Sequence, residues 1–569
     1  MTRPTIAPEI AAALTAQIPP RLLKKLDAEP RLAERWAWTA STVTTDKGEV
    51  VTLDLADGIV RGVTCSCLLQ PRCLHVAAVA AVLEPAEATP TAPVATVPAI
   101  PSASTEVHAS TSAVAAQAVR VISDVLAGGA ETSGAFVQAE LLRSIHACRT
   151  IGLHRLATTQ TRILRSVREL RADKPEFSLA ALSADVREAL AVAHALAAGE
   201  ASSALLGTAR RDYETIGNVR LRGVFTEAVV ARSGYAGAIT YLVDDKGVLY
   251  TRADIAPGDA GRAAGAYDAP ANLGDAVLPH RELCRSGLFL SDATRSADGR
   301  LGAGQKVRAV RASEPSLWSH DGLASRWQAP LPEQLARIAA HDATPEDAKP
   351  AGWDLVFVEG MLLGGGPGGV GLHTNGTVLR LTTAHDHRVL PARDNLAVLA
   401  NAAGLHVRAI GRARLGAPRR LELLAIGPAP DETRFAMADA WHGRANLHYD
   451  RLSVLALGDA PPLEVSAAPP PVDLLEPLRR RVERVVQGGL GTLPTHAIAE
   501  LDREAARLAE RSLRGGAEVL RDLAAIAHDA GRAMTGSRRA VDRPSFARAW
   551  LRAAVYEDTA RRRLSVASW

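Results

Sequence analysis

Residues 59–83 read IVRGVTCSCLLQPRCLHVAAVAAVL and hold three of the five cysteines of the chain. The segment IVRGVTCSC has the alternation of a β-strand, and HVAAVAAVL is typical of a short apolar helix. In an extended segment, residues i and i+2 project to the same side, so Cys65 with Cys67 and Cys73 with His75 each offer two ligands to one ion. The loop LLQPR between them contains a proline that assists chain reversal and brings the second pair opposite the first.

Three thiolates and one imidazole form a ligand set that tetrahedral Zn²⁺ accepts in structural sites, which keep no open position for a substrate. Such a site carries a net charge of about −1, which the neighbouring Arg61 and Arg72 partly offset. The competing interpretation is three buried thiols and a surface histidine, because free cysteine behaves as a small hydrophobic residue. The paired spacing after a strand and before a helix favours metal binding. The sequence therefore predicts one structural zinc ion.

Preceded by the strands EVVTLDL and IVRGVTCSC and followed by the helix VAAVAAVL, this CxC…CxH array resembles the SWIM zinc finger, a ββα-like module. The resemblance covers residues 36–83 and implies that Cys65, Cys67, Cys73 and His75 are the zinc ligands. It also implies a module that binds DNA or protein. More loosely, the alanine- and arginine-rich composition resembles actinobacterial-type SWIM proteins, which are often encoded near MoxR-type ATPases and von Willebrand A proteins. That second resemblance implies a protein partner from such a system.

The composition is that of a multidomain chain without membrane segments. Of its 569 residues, 47% are hydrophobic and 22% are charged, enough to bury several ordinary cores. The 66 Lys and Arg against 62 Asp and Glu leave a net charge of +4, too even for a protein that depends on non-specific phosphate binding. No apolar run of about 18 residues and no secretory signal is present, so we expect no membrane contact. Clustered thiols without a disulfide framework favour a cytoplasmic protein.

Changes of pattern along the chain predict a multidomain α+β protein. In its β-rich middle part, hairpins alternate with short helical stretches, and the sequence does not predict the order of the strands. Two Pro-rich segments lack periodicity and are predicted to be a linker and a break. The predicted regions are a SWIM finger domain over 1–83 with its ββα-like core at 36–83, a linker over 84–114, a helical domain over 115–210, a β-rich α+β domain over 211–458, a Pro-rich break over 459–471 and an Arg-rich α-helical domain over 472–569.

Other motifs give weaker signals. The run GGGPGGVGLHTNG at 364–376 lacks the lysine of a P-loop and precedes a strand, so a flexible hairpin loop is predicted. His385 and His387 are spaced like metal ligands, but no third ligand is near in sequence, which favours a solvated loop. Cys148 and Cys284 lack a recognisable nucleophile context. Since no short catalytic motif is present, we expect a protein that is not an enzyme.

The basic excess of the chain lies at its C-terminal end. Residues 472–569 contain eighteen Arg, no Lys and thirteen Asp and Glu, a net charge of +5. On the predicted helices these charges alternate, and pairing at i,i+4 with solvation accounts for most of them. Residues 1–83 hold nine Lys and Arg against eight Asp and Glu, which favours a protein partner over DNA. We therefore expect a protein-interaction adaptor, with DNA binding through the finger and the Arg-rich helices as the alternative.

Overall fold

A computed structural model describes the chain except residues 1–2, 17, 57, 68, 71–72, 87–104, 209–211, 275, 303, 305, 342–343, 345–347, 367–368, 418, 454–472, 494–497 and 530–540. The chain forms two compact units, Met1–Arg210 with Asp473–Ala560 and Arg211–Val472 with Arg561–Trp569. Helices dominate the first unit and sheets the second, which confirms the predicted multidomain α+β class. Among the described residues, no helix combines the length and the apolar composition needed to cross a membrane.

The helices and strands follow the chain in three stretches. The first contains β1 (Thr5–Ile6), α1 (Pro8–Ala16), α2 (Pro20–Ala28), β2 (Ala37–Trp38), β3 (Thr42–Thr44), β4 (Val50–Ala56), β5 (Ile59–Cys65), α3 (Leu74–Val82), α4 (Thr105–Gly128), α5 (Ala135–Thr150), α6 (His154–Arg171), α7 (Leu179–Ala197) and α8 (Ser203–Leu206). The second contains β6 (Tyr213–Val230), β7 (Tyr235–Asp244), β8 (Leu249–Pro257), α9 (Ala260–Ala266), β9 (Pro270–Leu273), β10 (Ala276–Pro279), α10 (His280–Leu283), β11 (Ser286–Ser296), β12 (Arg308–Pro315), α11 (Asp321–Gln328), α12 (Leu331–Ala340), β13 (Leu355–Gly366), β14 (Gly369–Thr374), β15 (Thr377–Thr382), α13 (Ala392–Leu399), β16 (His406–Ala413), β17 (Arg420–Pro428) and β18 (Ala445–Asn446). The third contains α14 (Glu476–Gly488), α15 (Ile498–Glu510), α16 (Arg514–Asp529) and α17 (Arg543–Ser568).

The N-terminal sheet carries the first of the predicted metal ligands. Its strand order is β1-β5-β4-β3-β2, and every pair is antiparallel except β1 with β5. In β4, Val51 and Leu53 are buried whereas Thr52 and Asp54 are exposed, the alternation of a half-buried strand. The register sets Val51 opposite Cys65, so strand pairing fixes the position of that ligand.

Residues 36–45 contain two short strands, β2 and β3. Between them, the Thr39 hydroxyl accepts a hydrogen bond from the Thr42 backbone N–H at 2.9 Å. Threonine side chains that bond the local backbone favour a turn over a continuous strand. The N-terminal region therefore contains a five-stranded sheet followed by one helix, a larger sheet than that of the predicted ββα-like core.

The helix of the finger belongs to a core that extends through the whole first unit. Residues 76–80 of α3 are all buried, and they share one hydrophobic cluster with buried side chains of α4 to α7 and α14 to α17. The Asp27 carboxylate accepts a hydrogen bond from the Ala135 N–H at 2.8 Å, and the Arg168 guanidinium donates one to the Leu83 carbonyl at 2.7 Å. The regions predicted as finger, helical and Arg-rich domains thus form one unit. They do so because the small sheet alone cannot bury the apolar surface of α3.

Helices α4 and α14 meet at their C-terminal ends through two glycines. Gly129 has φ +84° and Gly489 has φ +68°, backbone conformations that favour glycine. A Cβ on Gly489 would lie 2.4 Å from the Ala127 carbonyl oxygen, so only glycine permits this approach. Beside it, the Gln487 amide donates a hydrogen bond to the Glu131 carboxylate at 2.6 Å. These contacts attach the C-terminal helices to the first unit.

The predicted linker and the predicted Pro-rich break lie mostly outside the described residues. This holds for 87–104 within the predicted linker and for the whole Pro-rich break over 459–471. Residues at both ends of the predicted linker take part in the fold of the first unit. At its start, the Ala86 N–H donates a hydrogen bond to the Ile6 carbonyl at 2.8 Å, and at its end α4 already begins at Thr105.

The second unit contains an antiparallel sheet and a small barrel. The sheet has the strand order β12-β11-β6-β7-β8, and Phe225 of β6 stacks on Tyr241 of β7 with ring centroids 4.6 Å apart. Strands β13 to β17 follow the order β15-β14-β13-β16-β17, and a parallel pairing of β15 with β17 closes the barrel. With α13 between its third and fourth strands, this is the strand arrangement of OB folds. Buried side chains such as Val356, Leu372 and Leu379 belong to the cluster that fills it.

Candidate metal centre

Four side chains that offer metal ligands meet where β5 ends and α3 begins. Cys65 is the last residue of β5, and Cys67 follows after one residue. A turn then begins, closed by a hydrogen bond from the Gln70 N–H to the Cys67 carbonyl at 3.2 Å. Cys73 is the N-cap residue of α3, and His75 lies in its first turn. The end of a strand supplies the first pair, as the sequence predicts, whereas the start of a helix supplies the second, for which an extended segment was predicted.

The four ligand atoms are close enough to share one ion. They all lie within 4.8 Å of one another. The distance from Cys65 Sγ to His75 Nδ1 is 3.6 Å. Ideal zinc–ligand bonds give an edge of about 3.6 Å between a sulfur and a nitrogen of the tetrahedron. The Trp36 ring meets the His75 ring edge-on, with centroids 5.7 Å apart, and limits its rotation.

Backbone N–H groups are directed at all three sulfur atoms, with that of Cys67 at Cys65 Sγ. The Val76 N–H donates a hydrogen bond to Cys73 Sγ at 3.5 Å, in the position of a helix cap. The Leu69 N–H donates one to Cys67 Sγ. Such bonds stabilise thiolates, and the positive end of the α3 dipole adds to the effect at Cys73. The protein therefore supplies part of the compensation for three negative ligands.

The three thiols differ in their acidity. Burial raises the pKa of Cys65 to about 12 and also raises the pKa of Cys73. Burial acts in the same direction on Cys67, but hydrogen bonds from the Leu69 N–H and from the other two thiols outweigh it, so its pKa is lowered. A metal ion binds thiolates and must displace the protons that remain.

The donor set fits zinc and fits hard cations poorly. Mg²⁺ and Ca²⁺ prefer oxygen ligands, whereas three sulfurs and one imidazole nitrogen suit tetrahedral Zn²⁺. Four protein ligands leave no open position, so a bound ion would contribute to folding and would not activate a substrate. Of the two arginines expected to offset the negative charge, Arg61 is exposed on β5 and Arg72 lies outside the described residues.

Comparison of the chain with protein-family models, with curated proteins and with solved structures finds no match in any of the three. The resemblance to SWIM fingers therefore rests on the ligand spacing and on its position between a strand and a helix.

The other candidate cysteines are not among these four ligands. Cys148 is buried and accepts a hydrogen bond from the Gln160 amide at 3.4 Å. Cys284 is also buried, and the Asn446 amide donates a hydrogen bond to its sulfur at 3.5 Å. In the part of the chain that the structure describes, no second group of three or more His, Cys, Asp or Glu has ligand atoms close enough for a shared ion.

Sequence analysis missed a neighbour of the His385 and His387 pair. The ring centroid of His385 lies 5.5 Å from that of His448 and 6.3 Å from that of His387. His387 is exposed as predicted for a solvated loop, whereas His385 is half-buried. Burial lowers the pKa of His448 to about 3, which keeps this side chain neutral. No signal in the sequence connects these positions, because the fold alone brings them together.

We expect elemental analysis of the purified chain to find about one zinc per chain, and Cys67→Ser to lose it. Cys67 is one of four ligands, and a serine hydroxyl does not replace a thiolate at zinc. Cys148→Ala is the matched control, since it removes a buried thiol of the same unit that lies outside the cluster. Retention of zinc by Cys67→Ser would remove this residue from the ligand set.

Proposed function

We propose that this chain is a protein-interaction adaptor whose zinc ion is structural. The observation that carries the proposal is the closed set of three thiols and one imidazole at the junction of β5 and α3. Because α3 belongs to the core of the first unit, an ion bound there fixes the preceding loop against that unit. The ion would thus hold a recognition surface in one shape.

The described part of the ligand loop presents an exposed apolar side chain. Leu69 is 62% exposed, and its described neighbours Ser66 and Gln70 are exposed and uncharged. The Glu49 carboxylate lies near enough to His75 to interact with it electrostatically. Phosphate backbones are bound mainly by Arg, Lys and other donors, whereas an exposed apolar residue at a fixed site suits contact with a protein. These features support protein recognition over DNA binding.

The remaining parts of the proposal follow from the same chemistry. A ligand set with no open position gives a substrate no access to the ion, which supports a role other than catalysis. Thiols that bind a metal require a reducing compartment, which supports the predicted cytoplasmic location. The MoxR-type ATPases and von Willebrand A proteins suggested by the resemblance to SWIM proteins are the first candidate partners to test.

The proposal is tested by affinity purification of the zinc-loaded full chain from native lysate. An adaptor retains a stable partner at about 0.3 M salt, where exposed charges are strongly screened. Recovery of no partner would contradict the proposal. A gel-shift series with duplex DNA tests the alternative, which requires affinity that falls steeply as salt is raised.

We expect Leu69→Asp to reduce recovery of the partner at least about tenfold, by placing a charge at a desolvated contact. Zinc content and the unfolding midpoint should stay unchanged, because the side chain is exposed. Phe136, which is 64% exposed in the same unit, provides the control variant Phe136→Asp. Equal recovery with both variants would exclude the ligand loop from the interface.

A further inference from the structure

A groove runs between α14 and α15 in the first unit and is lined mainly by arginine. Its volume is about 260 Å³, and its charged lining residues are Arg480, Arg481, Arg484, Arg507 and Arg511 together with two glutamates. On a helix, residues i and i+4 lie on the same face. The exposed pair 480 with 484 therefore forms a row of guanidinium groups on α14. Arg507 in the last turn of α15 and Arg511 directly after that helix are also exposed.

Ion pairs within the chain neutralise only part of this positive charge. The side chain of Arg481 is 7% exposed and binds Glu500 at 2.5 Å and Glu504 at 3.0 Å, so the two glutamates of the groove share one arginine. Arg480 pairs with Glu476. Within the described residues, no carboxylate pairs with the three remaining arginines of the groove, at positions 484, 507 and 511. The net charge of the lining is therefore positive and faces solvent.

An apolar surface accompanies these cations. Leu474, Pro477 and Leu508 complete the lining of the groove. Arg clusters recognise acidic motifs through charge-assisted hydrogen bonds, and apolar pockets add anchors for side chains. A phosphate backbone would pair with the arginines but has no apolar side chain to place in the pocket. The two glutamates in the lining also disfavour a continuous polyanion. The combination fits acidic residues interspersed with apolar ones.

We propose that this groove binds an acidic, amphipathic peptide segment of a partner protein. The inference rests on the proposed adaptor function and specifies the chemistry of its partner. In the bound state, carboxylates of the segment pair with Arg484, Arg507 and Arg511, and an apolar side chain contacts the half-buried Leu474 and Pro477. Association depends on charge and weakens as salt rises, whereas the apolar contact persists.

The test measures fluorescence anisotropy of the zinc-loaded full chain with a fluorescein-labelled peptide in which pairs of glutamate alternate with leucine. We expect saturable binding, and at least about a tenfold loss on replacing glutamate by glutamine in the peptide. The triple charge reversal Arg484→Glu, Arg507→Glu and Arg511→Glu should weaken binding at least as much. The matched control Arg503→Glu, Arg514→Glu and Arg521→Glu changes the same net charge at exposed positions outside the groove and should change affinity less than about twofold.

Two results with the groove variant would overturn the inference. One is equal affinity of the groove variant and the wild-type chain, with unfolding midpoints of both triple variants close to the wild-type value. The other is tighter binding of a labelled oligothymidylate than of the peptide, lost in the groove variant, which would assign the groove to nucleic acid. A partner still recovered by the chain while the peptide fails to bind would refute the groove and leave the adaptor function in place.

Discussion

The Cys73→Ser variant is expected to lose zinc and to lower the free energy of unfolding of the first unit by about 3–5 kcal/mol. Structural zinc contributes about 10–16 kcal/mol in isolated finger peptides. Here the loss is smaller because α3 keeps its apolar contacts in the shared core without the ion. Serine is a good N-cap residue and can still accept a hydrogen bond from the Val76 N–H, so the loss reports on the metal and not on the helix cap.

Denaturant unfolding combined with hydrogen exchange measures this effect in the intact chain. We expect amide protection to fall first in β4, β5 and α3 and to persist in the second unit. Cys148→Ala is the control, because it removes a thiol of equal size from the same core at a cost of about 1–2 kcal/mol and keeps zinc. A Cys73→Ser protein that has lost zinc but unfolds at the wild-type midpoint would show that the ion is not structural.

The candidate site was predictable because all of its determinants are local. Residues at i and i+2 of an extended chain, a short loop and a helix start fix the four ligand positions within eleven residues, from Cys65 to His75. The alternation of Val51 and Leu53 with polar residues predicted the strand that supports Cys65. What local patterning did not predict is β1, whose two residues join the sheet in parallel from a distant position.

The grouping of the chain into units depends on contacts that no local pattern encodes. Sequence analysis divided the first unit at its Pro-rich segments, where periodicity is lost. Packing of α14 on α4 joins parts of the chain more than 300 positions apart. The pattern of an apolar helix face is the same whichever element packs against it. Periodicity indicates that a helix face is buried but does not indicate which element packs against it.

The glycine run at 364–376 shows a second limit of the sequence patterns. A flexible loop was predicted, and this was wrong for 364–366 and 369–374, which belong to β13 and β14. Glycine usually weakens a strand, but here the barrel brings two backbones very close. A Cβ on Gly369 would lie 2.2 Å from the Leu381 carbonyl oxygen, so the residue type follows from tertiary packing.

The Arg412→Met variant is expected to lower the free energy of unfolding of the second unit by about 3–5 kcal/mol at neutral pH. Arg412 of β16 donates two hydrogen bonds to Glu227 at 2.9 and 3.0 Å and one to Asp354 at 2.6 Å. The side chains of the two acids are only 4% and 10% exposed. Removal of the guanidinium leaves Glu227 buried without its counter-charge and leaves Asp354 only a longer contact with Arg414 at 4.0 Å. An unpaired buried carboxylate costs far more than the loss of a surface pair.

The sign of the pH dependence distinguishes this mechanism from a simple packing defect. Burial raises the pKa of Glu227, but the Arg412 guanidinium outweighs it and holds that pKa below its usual range. In the wild type, the pair therefore stabilises the fold above about pH 4.3, the unfolded value, and this contribution is lost as pH falls further. Without Arg412, burial raises the pKa of Glu227, so the variant is least stable at high pH and recovers as pH falls toward about 5.

Denaturant titrations of both proteins between about pH 5 and pH 8 test this expectation, with hydrogen exchange of β6 and β16 locating the change in the second unit. Arg408→Met on the same strand is the control. Its partner Glu359 is 45% exposed, so this substitution should cost less than about 1 kcal/mol at every pH. The double variant Arg412→Met with Glu227→Gln should regain part of the stability at neutral pH, because no charge then remains at position 227. A stability difference between Arg412→Met and wild type that stays constant across this range would contradict the assignment of the loss to an unpaired carboxylate.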